Sequence, residues 1–163
     1  MKIAREFLER TGYGAWLVRF GREFILEFMA RTYDPDDRET WTPWVPRWYL
    51  WDGGYLAIGE TGGVVPPHAH HAIQITLGID APIRFRSGEN GEWRRMRGAI
   101  VLPDVTHSFD GMNSLVTMLF VDPESREGRW LQRSHPVRVG EIPETKVEHG
   151  AAAFRGLWVE PLG

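Results

Sequence analysis

"VVPPHAHHAIQITLG", Val64–Gly78, sets three of the chain's six histidines into four positions and then alternates aliphatic with polar residues. Side chains on a strand alternate between its faces. Read as one strand, the segment puts His68, His70, Ala72, Gln74 and Thr76 on one face. Ala69, His71, Ile73, Ile75 and Leu77 fall on the other. One face is then polar and coordinating, the other aliphatic apart from His71. A half-exposed strand with its polar face in water gives the same alternation, so spacing alone does not make a site. Two features favour one. Imidazoles at i and i+2 can converge on one ion, with Gln74 as a neutral oxygen donor on the same side. In addition, "GAIVLPDVTH", Gly98–His107, brings a further histidine after a proline-containing turn, on a second strand that can close the set. Imidazole suits zinc, nickel, copper and iron. His71, on the opposite face, is expected to pack or to hydrogen-bond between elements.

Outward from this segment the texture stays β. "WYLWDGGYLAIGETGG" (48–63) alternates bulky residues with turn glycines. "PIRFRSGENGEWRRMR" (82–97) reads as a hairpin around a Ser-Gly-Glu-Asn-Gly turn. "GAIVLPDVTHSFD" and "NSLVTMLFVD" supply two more strands, the second apolar on both faces and hence central. Short strands with regular turn signals indicate an all-β sandwich or barrel. "ESREGRWLQR" after Pro123 predicts a helix, with Asp122 as N-cap and Pro123 at the first helical position. A weaker helix is predicted near Val147–Trp158.

The first part of the chain differs. Leu17, Phe20, Phe24 and Phe28 recur at helical spacing, with Arg19, Arg22, Glu23, Glu27 and Arg31 on the other side, which predicts an amphipathic helix over 15–32. Residues 2–11 predict a shorter one, stopped at Gly12. "YDPDDRETWTPWVPRW" (33–48) is a connector in which Pro43 and Pro46 break a helical reading of Trp41, Trp44, Trp48 and Trp51. Those tryptophans either plug gaps against the core or form an aromatic lid over a pocket, and Trp51 is a candidate pocket residue together with Gln74 and Thr76. The organisation expected is a helical arm and connector over 1–47, a barrel over 48–133 and a partly helical tail over 134–163.

Composition bounds the function. The 163 residues suffice for one domain with a real core. The formal net charge is −3 and the sequence pI about 6.1, so there is no overall electrostatic attraction to nucleic acid. Absence of cysteine excludes disulfides and thiolate metal sites. The N-terminus carries charges every few residues and predicts neither a secretory signal nor a spanning helix, so a cytoplasmic protein without membrane contact is expected. Arg84 and Arg86 share a face of the hairpin, as do Arg95 and Arg97. They read as a solvated edge that discourages strand pairing, or as an anion- or partner-docking stripe.

The chain resembles the cupin superfamily, and within it the N-terminal sensor domain of AraC-type transcription regulators. Gly62, His68 and His70 match the first cupin motif, with Gln74 where a glutamate belongs. Gly98, Pro103 and His107 match the second more loosely. "HHAIQITLG", "VLPDVTHSFD" and "LFVDPESREGRWL", in that order, carry the regulator-like part over about residues 48–133. The resemblance implies a double-stranded β-helix (the cupin jelly-roll barrel), here mostly β with N-terminal helices and a short C-terminal helix. It implies metal-ligand status for His68, His70, His107 and Gln74, and a divalent zinc, nickel, iron or manganese ion. Glutamine for glutamate removes a charged donor, which predicts a more weakly held ion and a Lewis-acid centre that is harder to sustain. A sensor role implies a small-molecule ligand in the pocket and a homodimer. Residues 134–163 are too short and too proline-broken for helix-turn-helix units, so no direct DNA binding is expected of this chain, whether it is free-standing or an excised fragment. The competing expectation is a free-standing metal-dependent enzyme, an oxygenase, isomerase or lyase on a small organic acid or sugar. The aliphatic face of Ile73, Ile75 and Leu77 is expected to be covered by the N-terminal helices or by a second subunit.

Overall fold

The computed structural model describes residues 46–159. The two predicted N-terminal helices and Trp41 and Trp44 lie outside the described residues. Ten strands follow: β1 Arg47–Trp51, β2 Gly54–Glu60, β3 Val64–His68, β4 Ile73–Gly78, β5 Ile83–Ser87, β6 Arg94–Met96, β7 Gly98–Val101, β8 His107–Asp110, β9 Leu115–Val121 and β10 Val139–Glu141. Two helices, α1 Arg126–Ser134 and α2 Glu144–Val159, flank β10.

All pairings are antiparallel. The large sheet runs β1-β2-β9-β4-β7-β10 and the small one β3-β8-β5-β6. Successive strands from β2 to β9 therefore alternate between the two sheets, with the β5–β6 hairpin as the one exception. This is the eight-stranded jelly-roll arrangement that cupins use. The predicted fold class holds for the described residues.

Register shows what each face does. One row across the large sheet is Tyr55, Phe120, Gln74, Val101 and Val139, and the next is Ala57, Met118, Thr76 and Ala99. These rows look toward Phe85, Phe109, Ile83 and Met96 of the small sheet, and together they form the principal core. The intervening row, Leu56, Leu119, Ile75 and Ile100, faces the other way. Ile73 and Ile100 meet Leu131 of α1 there, while Leu77, Leu56 and Ile58 meet Val147, Ala151, Phe154 and Leu157 of α2. Among the described residues the aliphatic face is thus packed against the two C-terminal helices, a cover the sequence reading did not name; the predicted N-terminal helices lie outside the described residues. β10 also extends the large sheet beside β7. Through β10 and α2 the chain beyond residue 133 packs on the barrel as far as it is described.

Two corrections concern local structure. "GAIVLPDVTHSFD" is not one strand but two, β7 and β8, one in each sheet. Pro103 donates no backbone N–H to a ladder, and Asp104 adopts φ 59°, so the chain turns between them. Asp122 is not the cap of α1. Its carboxylate accepts from the Glu124 N–H at 2.8 Å in a turn, and Ser125 caps the helix, its Oγ accepting from the Gly128 N–H at 2.9 Å.

Gly128 carries a stability prediction. Alanine is intrinsically the better helix former by about 1 kcal/mol. Here, however, a Cβ at position 128 collides with the Asp122 carbonyl oxygen and the Pro123 Cα, both backbone atoms. The clash outweighs the propensity, and Gly128→Ala is expected to lose about 1–3 kcal/mol in chemical denaturation. An unchanged or raised midpoint contradicts this packing of α1.

Candidate metal centre

The histidine segment is not a single strand. β3 ends at His68, residues 69–72 cross between the sheets, and β4 begins at Ile73. Pro66 and Pro67 donate no N–H, and the β3–β8 register shifts between Val65 and His68. His68 therefore belongs to the small sheet and Gln74 to the large one. The face parity inferred from one continuous strand gives the right grouping for a different reason: the crossover folds both ends toward the same interior.

His68 lies directly opposite His107 across the β3–β8 ladder, their ring centroids 4.3 Å apart, and His70 stands 5.1 Å from His107. One ring nitrogen from each of the three histidines lies within 4.8 Å of the other two. His107 is fully buried, His70 is buried at 8% exposure and His68 is half-buried, so the set opens on the His68 side. The Asp104 N–H donates to the His70 carbonyl at 2.9 Å, which ties the crossover holding His70 to the turn that delivers His107.

Each imidazole is oriented by a backbone carbonyl. Nδ1 of His68, His70 and His107 contacts the oxygens of Pro66, Ala72 and Val105 at 2.9, 2.8 and 2.8 Å. A carbonyl oxygen only accepts, so Nδ1 carries the proton in each neutral ring and Nε2 presents a lone pair. This is how metal-binding imidazoles are held in structures generally. Burial keeps the rings neutral. It pulls His107 down to about 3, with the neighbouring His68 adding to the effect, and it holds His68 and His70 below the ordinary imidazole value.

Gln74 completes the set. Its Oε1 lies 2.8 Å from His70 Nε2 and 3.2 Å from His107 Nε2, and its Nε2 donates to Thr76 Oγ1 at 2.8 Å. Gln74 and Thr76 are both buried. Lone pairs of two neutral imidazoles and an amide oxygen thus converge on one point. Such a set fits a divalent cation through its chemistry: neutral nitrogen and oxygen donors, with no hydrogen between them.

The remaining candidates sort plainly. Trp51 packs with the cluster beneath α2, on the opposite side of the large sheet from the histidines. His71 points outward as expected and forms an inter-element link, with Nδ1 3.2 Å from Asp104 and Nε2 2.9 Å from Glu124. Glu124 and then Asp104 raise its affinity for a proton. It borders an open cleft of about 430 Å³ whose lining includes none of the three clustered histidines. The hairpin arginines divide: Arg95 is exposed on β6, at the edge of the small sheet, whereas Arg84 and Arg86 are engaged. Arg84 pairs with the buried Asp110, Arg86 donates to Ser108 at 3.1 Å, and both guanidiniums lie about 5 Å from the Trp93 ring. This lattice stiffens β5 and β8 behind His107.

Sequence reasoning missed the aromatic wall. Phe120 sits edge-on to His70, Tyr55 stacks on Phe120 at 4.5 Å, and Phe85 stacks on His107. The signal lay in the cross-strand row Tyr55–Phe120–Gln74, which requires a register that the sequence does not print. Burial raises the Tyr55 hydroxyl above its ordinary value.

No family profile matches the chain, and no curated protein matches it. Solved structures do. An RmlC-like cupin from Shewanella frigidimarina is 13% identical, covering 58% of this chain and 91% of its own, with a TM-score of 0.42. The DMSP lyase DddQ of Ruegeria pomeroyi is 13% identical over 76% of this chain and 74% of its own, at 0.38. A variant of oxalate decarboxylase from Bacillus subtilis is 16% identical over 85% of this chain and 45% of its own, at 0.35. Among the described residues no helix is long and apolar enough to cross a membrane.

Proposed function

We propose that the chain is a metal-binding cupin whose ion, held by His68, His70, His107 and Gln74, fixes a small anionic molecule in the barrel interior, as a sensor-type binding domain. The observation that carries this reading is the convergence of three neutral imidazoles, each oriented through Nδ1. The ligand class follows from charge. No carboxylate belongs to the clustered donors, so a bound divalent ion keeps its full positive charge in a buried setting and favours an anionic partner such as a carboxylate. The absent glutamate weakens retention of the ion, as the sequence suggests. It does not weaken the ion's pull on a ligand, since neutral donors leave it more electrophilic.

That same property supports a second reading. A three-histidine site with open positions lowers the pKa of bound water and polarises oxygen atoms, which is the chemistry of a metal-dependent lyase or isomerase. Metal analysis of protein purified without an affinity tag is the first test, followed by calorimetry with a panel of small carboxylates. The sensor reading expects stoichiometric metal and carboxylate binding that disappears with chelator, without turnover. Carboxylate binding that is indifferent to chelator overturns it, and metal-dependent product formation replaces it with the enzyme.

A further inference from the structure

We infer that Gln74 is a two-position amide: it turns its oxygen to an ion when the site is loaded and its NH2 to the histidines when the site is free of metal. The inference deepens the metal-binding reading above and rests on it for the loaded half alone. Its basis is donor and acceptor bookkeeping. With Nδ1–H committed to the carbonyls of Pro66, Ala72 and Val105, the Nε2 atoms of His70 and His107 are acceptors. Gln74 Oε1, 2.8 and 3.2 Å from them, is also only an acceptor. Three acceptors facing one another repel unless a cation lies among them.

A half-turn about the last side-chain torsion removes the conflict without an ion. The two N–H groups of the amide then meet the two Nε2 lone pairs, one each. Oε1 comes to the place now held by the amide nitrogen, 2.8 Å from Thr76 Oγ1. The threonine hydroxyl serves both positions because it donates as well as accepts, toward Oε1 in one and from the amide in the other. Every buried polar atom of the Gln74–Thr76 pair is satisfied in both states, and nothing beyond one torsion moves. A glutamate cannot do this. Ionised, it has no hydrogen of its own to offer two imidazole acceptors. Gln74 therefore makes the site indifferent to loss of its ion, which suits a pocket that loads and unloads, and Thr76 is the positioning residue that makes both amide orientations possible.

Zinc, which is diamagnetic, allows both states to be observed by NMR in the full chain, with Gln74→Glu identifying the Gln74 side-chain signals. In chelated protein the amide protons of Gln74 are expected to show contacts to the rings of His70 and His107. With zinc those contacts are expected to be replaced by contacts to the Thr76 methyl. A second measurement is thermal unfolding with and without zinc. Gln74→Glu is expected to melt about 5 °C or more below the parent in chelator and to recover with zinc, so that its zinc-induced shift exceeds the parent's. Amide contacts that stay with Thr76 in both conditions while zinc still binds overturn the two-position amide and leave the metal reading intact. An amide fixed on the histidines in a protein that takes up no zinc overturns both.

Discussion

His107→Ala is expected to abolish stoichiometric metal uptake and to weaken zinc affinity by at least about 100-fold. Changing a residue that only supports a metal ligand commonly costs about 10–100-fold, and here a ligand itself is lost. The same substitution costs stability in the metal-free protein. The ring is fully buried, stacks on Phe85 and donates to the Val105 carbonyl, so its removal leaves a cavity and an unpaired acceptor. A loss of about 2–4 kcal/mol is expected in urea denaturation. His68→Ala should match it in metal affinity but cost less stability, because His68 is only half-buried. His71→Ala is the control. Its ring lies outside the converging set and bridges Asp104 and Glu124 at the surface, so uptake should be unchanged. Metal content measured after dialysis separates these outcomes. Full occupancy in His107→Ala shows that the ion is held elsewhere.

Acid is expected to unfold the metal-free protein with a steep dependence that begins near pH 6.5. The native His107 titrates at about 3, against an ordinary value of 6.5 for the unfolded chain. Above pH 6.5 neither state is protonated and the group contributes no pH dependence. As pH falls below 6.5 the unfolded chain binds a proton that the native ring refuses, so stability drops by about 1.4 kcal/mol per pH unit until the native ring also titrates. Between pH 6.5 and 5 this amounts to about 2 kcal/mol from His107 alone. His68 and His70 are lowered for the same reason and steepen the fall. His71 acts in the opposite sense. Its raised value adds stability below 6.5 that is lost as pH rises, but its carboxylate partners are exposed and solvent screens them, so it does not offset the buried three. Urea titrations at pH 7.5, 6.5 and 5 in chelator measure the slope. Saturating zinc should move the acid limb to lower pH, since the ion competes with protons for the same nitrogens. A flat profile between pH 6.5 and 5 shows that the three rings are not sheltered from water.

Much of this was legible in the residues. His68, His70 and Gln74 are close in the chain, so their grouping needs only a local change of direction, and a proline-containing turn before His107 is visible as text. The central position of β9 follows from its being apolar on both faces. The outward role of His71 followed from a parity that held even though the segment is not one strand. Donor identities are chemical facts of the residue types, and so is the exclusion of thiolate ligands.

The tertiary structure decided the rest, because it depends on pairings between residues far apart in the chain. Whether His68 meets His107 is a matter of β3–β8 register, which Pro66 and Pro67 displace. The covering of Ile73, Ile75 and Leu77 was decided by α1 and α2, since an apolar face attracts any apolar partner and no local pattern says which. Trp51 left the pocket for the outer cluster on the same ground. The state of the histidines was likewise invisible in one dimension. Their carbonyl partners lie only two residues away in the chain, yet the bulge, crossover and turn bring each oxygen to Nδ1 and leave Nε2 of His70 and of His107 facing Gln74. Residue types determined which donors are present; backbone register and burial decided that they converge, neutral, on one point.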